Sequence, residues 1–488
     1  MRAISAVGEL AGTGPLLVRE VADPRAARSS RDPRADASRA DDTLSWLAER
    51  TSAQPMAVTR TPLAAITGWS TDPDTGTIRH ESGRFFSVQG VQVHSPRSPV
   101  PVWSQPIINQ PEIGILGILA CTFDEVLHLL LQAKIEPGNP RGHQLSPTVQ
   151  ATRSNYTRVH RGLAVPYLEY FRDPGRHRVL ADVRQSEQGS WFLQKRNRNM
   201  VIELAEPVAP REGFRWFTLA EIHHLLAVPN VVNMDARTVL SCLPIDGGEL
   251  EQKPGGGFAA ALAASLSGTR GSLHAGAEVL STITDHRTRM EVGTVAVPLA
   301  GLADWHRSEH SIRHRSGAFF EVVAVDVQAS EREVARWSQP MFAAVGLGLA
   351  AFLVRSVDGV LHVLMHLRAE PGFVDVVEFA PTVQCTPDSY HHLPAGMRPP
   401  FLDLVTGAAP EAIRYDTVLA EEGGRFHHTE TRYVVVETDE PIERPDYRWL
   451  TVHQLHDLLR HSHYVNVQAR SLVACLRSLI TPAKRRTP

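Results

Sequence analysis

The chain has 488 residues, a formal net charge of −3, 43% hydrophobic and 21% charged residues. That length exceeds what one hydrophobic core usually organises, so more than one domain is expected. The near-neutral charge gives no basis for a nucleic-acid or anionic-membrane partner, and the composition is that of an ordinary soluble globular protein. No apolar run approaches the length of a membrane span, and Glu9 and nearby glycines interrupt any signal-peptide core at the N-terminus.

In chain order, residues from about 20 to 42 are rich in Pro, Ser, Ala, Arg and Asp, so 1–41 read as a disordered tail, with the first domain spanning 42–244. Phe85–Val93 has the pattern of a strand. Residues 118–137 predict two strands around a tight turn at Phe123–Glu125, and the matching turn further on is Asp358-Gly359, a hairpin signal. Further strands are expected near Thr148–Thr152 and Met200–Leu204. Thr218 with Glu221, and later Thr451 with Gln454, form capping boxes ahead of apolar helical runs. Asn233 and Asn466 each precede a further helix and read as caps. Residues 245–277, with PGGG and SLSG, read as a flexible linker before a second domain over 278–480.

An internal repeat decides the organisation. Phe85–Val88 (FFSV) recurs at Phe319–Val322 (FFEV), Trp103–Pro106 (WSQP) at Trp337–Pro340, Glu136–Gly138 at Glu370–Gly372, and Pro147–Gln150 at Pro381–Gln384. Tyr156 matches Tyr390 and Arg198 matches Arg432, at a constant spacing of 234 (337 less 103). A whole domain is duplicated. The predicted class is α/β (α+β), each copy a mixed sheet with flanking helices.

Familiar catalytic sites are excluded. GLGLAA at Gly346–Ala351 imitates a dinucleotide fingerprint but lies in strand-like sequence, and no GxxxxGK[ST], HExxH or GxSxG occurs. His306, His310 and His314 precede a strand and read as a polar loop rather than a metal site. The four cysteines, Cys121, Cys242, Cys385 and Cys475, make no CxxC pair and read as small buried hydrophobes in a reducing, cytoplasmic setting.

What remains is a set of long polar motifs: WSQPIINQPEIG, QAKIEPGN, SPTVQATRSNYTRVHRG and QKRNRNM, with partial copies in the second half. Doubled in this way, the chain resembles the NDP-hexose 2,3-dehydratases of deoxysugar biosynthesis, from about Asp42 to Leu479. The resemblance implies two tandem Nudix-like domains, a homodimer, and removal of the 2-hydroxyl of dTDP-4-keto-6-deoxyglucose, whose diketo product a separate 3-ketoreductase takes up in antibiotic pathways. It implies no nicotinamide, metal or pyridoxal cofactor. Neither half carries a Nudix glutamate box, so the diphosphate can serve as a handle and need not be the bond that breaks. The competing readings are a metal-dependent nucleotide-sugar hydrolase and a non-catalytic nucleotide-sugar binding protein.

Elimination next to a ketone needs a base, a donor or cation for the enolate, and an acid for the departing hydroxyl. Glu136 is the candidate base or ribose anchor, Lys134 the group polarising the ketone or holding diphosphate, and Tyr156 the candidate acid. Gln105, Gln132, Asn139, Thr148, Gln150, Thr152 and Asn155 are candidates for binding substrate, Trp103 for stacking on thymine, and Arg196 and Arg198 for pairing with diphosphate. Each has a plainer alternative: Glu136-Pro137-Gly138 as a turn, Trp103 and Trp337 as core, Arg198 and Arg432 as structural ion pairs, Tyr156 and Tyr390 as buried phenols.

The copies also differ. Lys134 becomes Arg368, Gln132 His366, Asn139 Phe373, Gln110 Ala344, Glu112 Gly346, Asn155 Ser389 and Asn197 Thr431. The second copy has shed amides and charges while keeping Trp337, Glu370, Gln384 and Tyr390. The active pocket is therefore expected on the first copy. A vestigial or structural nucleotide-sugar site is expected on the second, from Trp337, Arg368, Glu370, Gln384, Tyr390 and Arg432.

Overall fold

A computed structural model of the chain describes residues 24–35, 37–96, 98, 100–152, 164–245, 250, 257–268, 271–330, 334–390 and 395–480. Four sheets organise them, two of five strands and two of seven. The larger sheet of the first copy is centred on Gly114–Phe123, which runs antiparallel to Val126–Lys134 and parallel to Arg196–Leu204. That of the second copy repeats the arrangement around Gly348–Val357. These central strands are apolar on both faces because helices cover the sheet, which is why they read as continuous hydrophobic runs.

Local chemistry explains the elements. The turns at Asp124-Glu125 and Asp358-Gly359 have positive φ at both residues (48° and 62°, 50° and 77°), as a two-residue hairpin requires. Thr218 and Thr451 each accept a hydrogen bond from the third residue of the helix that follows, and Glu221 and Gln454 answer from their side chains. Asn233 and Asn466 cap the helices Met234–Ser241 and Val467–Ser478. The Gly-rich segment at 346–351 enters a strand, as its sequence implies.

Two expectations about segment boundaries are corrected. The tail is ordered well before Asp41: Pro24–Ser29 and Ala37–Ala53 are helices, and Ala26 and Ala27 are buried. The stretch expected to be a linker contains the buried helix Phe258–Ser267 and the start of Gly276–Arg289. Composition misled here because small residues do the burying. Ser29 donates to the Leu127 carbonyl and accepts from Leu219 N (2.8 Å), while Ser265 donates to Leu361 and accepts from Val452 N (2.8 Å). The duplicated unit thus begins with a helix of its own on either side.

The copies are interlocked. Met56–Thr61, the leading strand of the first copy, pairs with Phe320–Ala329 of the second, Met56 opposite Ala329. Gly293–Val297, the leading strand of the second, pairs with Ser87–His94 of the first. Each copy thereby completes the other's five-stranded sheet. At the centre, Arg237 and Arg470 are fully buried on the facing C-terminal helices. Arg237 donates to Val232 O (2.6 Å), Ala420 O (2.8 Å) and Ser471 Oγ (3.2 Å), and Arg470 donates to Val465 O, Ser186 O and Thr238 Oγ1. A buried guanidinium persists only when its donors are used, and here each spends one on a carbonyl of its own copy and two on the other copy.

Among the described residues no helix is long and apolar enough to cross a membrane. The four cysteines are unpaired, with Cys121, Cys242 and Cys475 buried.

Candidate active site

A cavity of about 780 Å³ opens on the first copy. Its base is built where the strand Val126–Lys134 runs into the Glu136–Gly138 turn. Lys134 and Glu136 lie two apart and face the same side, with Nζ 3.4 Å from Oε1. Gln150, on the neighbouring strand Val149–Ala151, donates to the same Glu136 oxygen at 3.1 Å. Its own amide is oriented by Ser146 Oγ (2.7 Å) and Asn233 Nδ2 (3.2 Å), both donating to Oε1. The helix cap Asn233 therefore also sets the rotamer of a cavity amide.

The Glu-Pro-Gly motif is a turn whose Glu136 and Pro137 line the cavity. Gly138 N donates to Gly423 O of the second copy (2.7 Å), and a Cβ on Gly138 would stand 1.7 Å from Phe426 O. Only glycine lets the two backbones approach so closely. Gly372 makes the mirror contact with Gly189 and Phe192.

A second wall carries Glu187, Lys195 and Asn197. Asn197 donates to Glu187 Oε1 (2.7 Å) and accepts from Gly114 N (3.0 Å), while Lys195 donates to Glu112 O. Burial lowers the Lys195 ammonium to about 8, opposed by the charge of Glu187. Burial raises the Glu187 carboxyl, with Arg470 and Lys195 opposing. Asp235, in the first turn of the helix Met234–Ser241, is 4% exposed and its Oδ1 has no hydrogen-bond partner. Burial and then the charges of Glu187, Glu422 and Glu136 hold its carboxyl well above the usual carboxylate range.

The rest of the cavity comes from the second copy. Glu422 accepts from Gly424 N at 3.0 Å through Oε1. Arg425 donates to Gln110 Oε1 (3.3 Å) and lies 4.2 Å over the ring of Phe86. Trp337 bonds Gln339 Oε1 (3.0 Å), and Gln339 donates to Gly424 O (2.7 Å). The mouth is aromatic: Trp69 packs on Phe86 (4.8 Å between centroids) and on His80 (5.3 Å), and its indole donates to Ser338 O of the second copy (2.7 Å).

Of the residues expected in the site, Lys134, Glu136, Gln150 and Thr152 line the cavity; Tyr156 and Asn155 lie outside the described residues. Several expectations are corrected. Thr148 is buried in the sheet, donating to Leu130 O and accepting from Leu119 N, so its hydroxyl is spent on backbone. Arg198 pairs with Asp182 and Arg432 with Asp416, the two carboxylates standing on the outer strands Arg178–Ser186 and Ile413–Ala420. Gln132, Asn139 and Arg196 do not line the cavity, and Asn139 donates to Gly142 O (3.0 Å) within its own turn.

The strand exchange moves the tryptophans across. Trp103 packs with Val91, Val93 and Ile107, bonds Gln105 (2.9 Å), and Gln105 donates to Ser190 O (2.7 Å), whose N–H bonds Glu370. Trp103 and Gln105 thus belong beside the second copy's Glu370, and Trp337 belongs to the first copy's cavity. Arg368, Glu370, Gln384 and Tyr390 do not line it. Glu370 is held by Arg368 (2.8 Å), Gln384 (3.1 Å) and Ser190 N (3.0 Å). Burial pushes the Tyr390 phenol up.

Of Glu187, Lys195, Asp235, Glu422 and Arg425, all but Lys195 escaped the motif comparison, and Lys195, though inside the motif QKRNRNM, was not among the candidates. Their signal was present: at matching positions they face Glu421, Thr429, Gln468, Gln188 and Trp191, so four of the five differ between copies.

The family model of the NDP-hexose 2,3-dehydratases matches residues 40–243 and again 276–476. The dTDP-4-dehydro-6-deoxy-alpha-D-glucopyranose 2,3-dehydratase of Amycolatopsis orientalis is 47% identical over 90% of this chain and 90% of its own. Enzymes of the same name from Saccharopolyspora spinosa and Streptomyces violaceoruber are each 47% identical over 89% of this chain, and over 90% and 96% of their own. With both halves matched and the similarity running through nearly the whole length, the chain belongs to the NDP-hexose 2,3-dehydratase family.

Proposed function

We propose that this protein is a hydro-lyase that removes the 2-hydroxyl of dTDP-4-keto-6-deoxyglucose as water. The observation that carries the reading is the juxtaposition of Glu136 with Lys134 and Gln150 at the base of a cavity that gathers further carboxyls and cations from both copies. The 4-ketone acidifies the hydrogen on C3, and Glu136 takes it as base. Lys134, with Lys195 across the cavity, meets the negative charge that develops on the ketone oxygen. The aromatic mouth of Trp69, Phe85 and Phe86 suits a thymine ring, and Arg425 suits the diphosphate.

The enol left by loss of water tautomerises to a 3,4-diketo-2,6-dideoxy sugar, a reactive product that calls for a 3-ketoreductase as its consumer. We place the enzyme in the cytoplasm as a homodimer serving the antibiotic deoxysugar pathways. The test is incubation with dTDP-4-keto-6-deoxyglucose, NADPH and an active 3-ketoreductase. A reduced dideoxy sugar nucleotide is expected; its absence overturns the reading, and release of dTMP with magnesium would assign a hydrolase instead.

A further inference from the structure

We propose that Glu422, a residue of the second copy, is the acid that protonates the departing 2-hydroxyl in the cavity of the first. This deepens the dehydratase reading and rests on it. The loop bearing Glu422 is pressed onto the turn bearing Glu136: a Cβ on Gly423 would stand 3.1 Å from Glu136 Cβ, and one on Gly424 3.5 Å from Glu136 Oε1. Glu422 is anchored at Oε1 by Gly424 N, while its Oε2 is buried and without a hydrogen-bond partner. A buried carboxyl oxygen with no donor to neutralise it favours the protonated acid, and a protonated carboxyl beside a carboxylate is the arrangement that lets one pair act as acid and base.

Burial and then the charge of Glu136 raise this carboxyl to about 7, with Arg425 opposing. The other charged groups facing it are Glu187, Asp235 and Lys195. Asp235 is the rival donor, but the carboxylate that weighs most on it is Glu187 rather than Glu136.

Protons balance across the pair. Glu136 gains the C3 proton, the C3–H electron pair forms the C2–C3 double bond, and the C2–O pair leaves on oxygen. That oxygen takes the Glu422 proton and departs as water. Transfer of the proton from Glu136 to Glu422 then restores both.

The corresponding position of the first copy is Gln188, itself buried, so the same loop folds with an amide there. Full-length Glu422→Gln is compared with wild type and Glu136→Gln in two assays. Dehydration is followed through NADPH use by a 3-ketoreductase, and exchange of the C3 hydrogen in D2O by mass spectrometry of recovered substrate.

In Glu422→Gln we expect dehydration to fall about 100-fold or more with KM within about threefold, because general-acid contributions are of this size. Exchange at C3 should continue above the enzyme-free rate, whereas Glu136→Gln loses both. Dehydration within about threefold of wild type, or loss of exchange together with dehydration, overturns the assignment. So does an Asp235→Asn variant that alone shows exchange without dehydration. If Glu422→Gln does not fold, Glu422→Asp decides: an alkaline limb of kcat is expected near pH 7 in wild type and must move with the substitution, and an unmoved limb overturns the proposal. A wild-type enzyme that yields no reduced product is a failure of the dehydratase reading itself.

Discussion

Glu136 and Glu370 occupy the same place in the two copies, and their surroundings differ in kind. Each is followed by Pro-Gly and takes a hydrogen bond from a glutamine of the adjoining strand, Gln150 or Gln384. Glu136 meets a lysine at 3.4 Å and faces a large cavity. Glu370 is 3% exposed, with Arg368 on one oxygen and a backbone N–H on the other. Phe373, replacing Asn139, packs against Gly189 beside it. The Glu-Pro-Gly turn with its glutamine partner is present in both copies, and in the second the carboxylate is taken up by Arg368, Gln384 and Ser190 N. The shared pair of Glu136 with Gln150 recurs as Glu370 with Gln384, while what surrounds it differs between the copies.

That division can be tested from the largest expected effect downward. Gly138→Ala and Gly372→Ala should be equally damaging, since each Cβ would meet a carbonyl oxygen at under 2 Å (1.7 and 1.8 Å). Loss of soluble, folded protein is expected for both, and a variant of either that melts like wild type would break the symmetry claimed for the turn. Glu136→Gln and Glu370→Gln should then part company. The first should lose turnover by about 100-fold or more with its melting temperature nearly kept. The second should keep kcat and lose about 1–3 kcal/mol of stability, because the part-buried Arg368 guanidinium loses its counter-charge. Equal loss of turnover in both would place chemistry in the second copy.

Glu378 offers a pH test. Burial raises its carboxyl to about 7, with Ser186 and Arg470 opposing, and the first copy has Gln144 at this position. A carboxyl raised on folding stabilises the native state below its unfolded pKa of about 4.5. That contribution is lost as pH rises through about 7. Melting curves at pH 5 and pH 8.5 should show Glu378→Gln gaining on wild type at the higher pH by about 1–3 kcal/mol. A parallel pH response in the two proteins would show that the group does not titrate as its burial implies. Smaller still is the effect expected at the mouth. Trp69→Ala should weaken dTDP binding by about tenfold, the scale of one aromatic contact, and Trp305→Ala should not. Both remove the same kind of bond to a carbonyl of the other copy, Ser338 and Ser104, so calorimetry on the pair separates stacking from assembly.

Legibility followed the range of the interactions. The hairpin at Asp358-Gly359, the capping boxes at Thr218 and Thr451 and the caps at Asn233 and Asn466 are decided by neighbours three or four residues away, and the sequence announces them. Lys134, Glu136 and Gln150 were found through repeat motifs. Thr148 and Arg198 looked like ligands because a polar side chain in a strand does not reveal which backbone carbonyl or outer-strand carboxylate it meets. Helix Pro24–Ser29 was invisible because a segment of alanine and serine contributes to a core only once a sheet is there to receive it.

By itself, the amino-acid sequence determined that the protein is a duplication, that each copy carries a mixed sheet with capped helices, that the family is the NDP-hexose 2,3-dehydratases, and that the first copy holds polar groups the second lacks; the additional five-stranded sheet of each copy was not read from it. Tertiary structure alone decided which residues share a cavity. The leading strands exchange between copies, so Trp337, Glu422 and Arg425 stand with Glu136, and Trp103 stands with Glu370. Strand pairing over more than 200 residues is set by which sheet edge is open when the copies fold together. No local pattern encodes that.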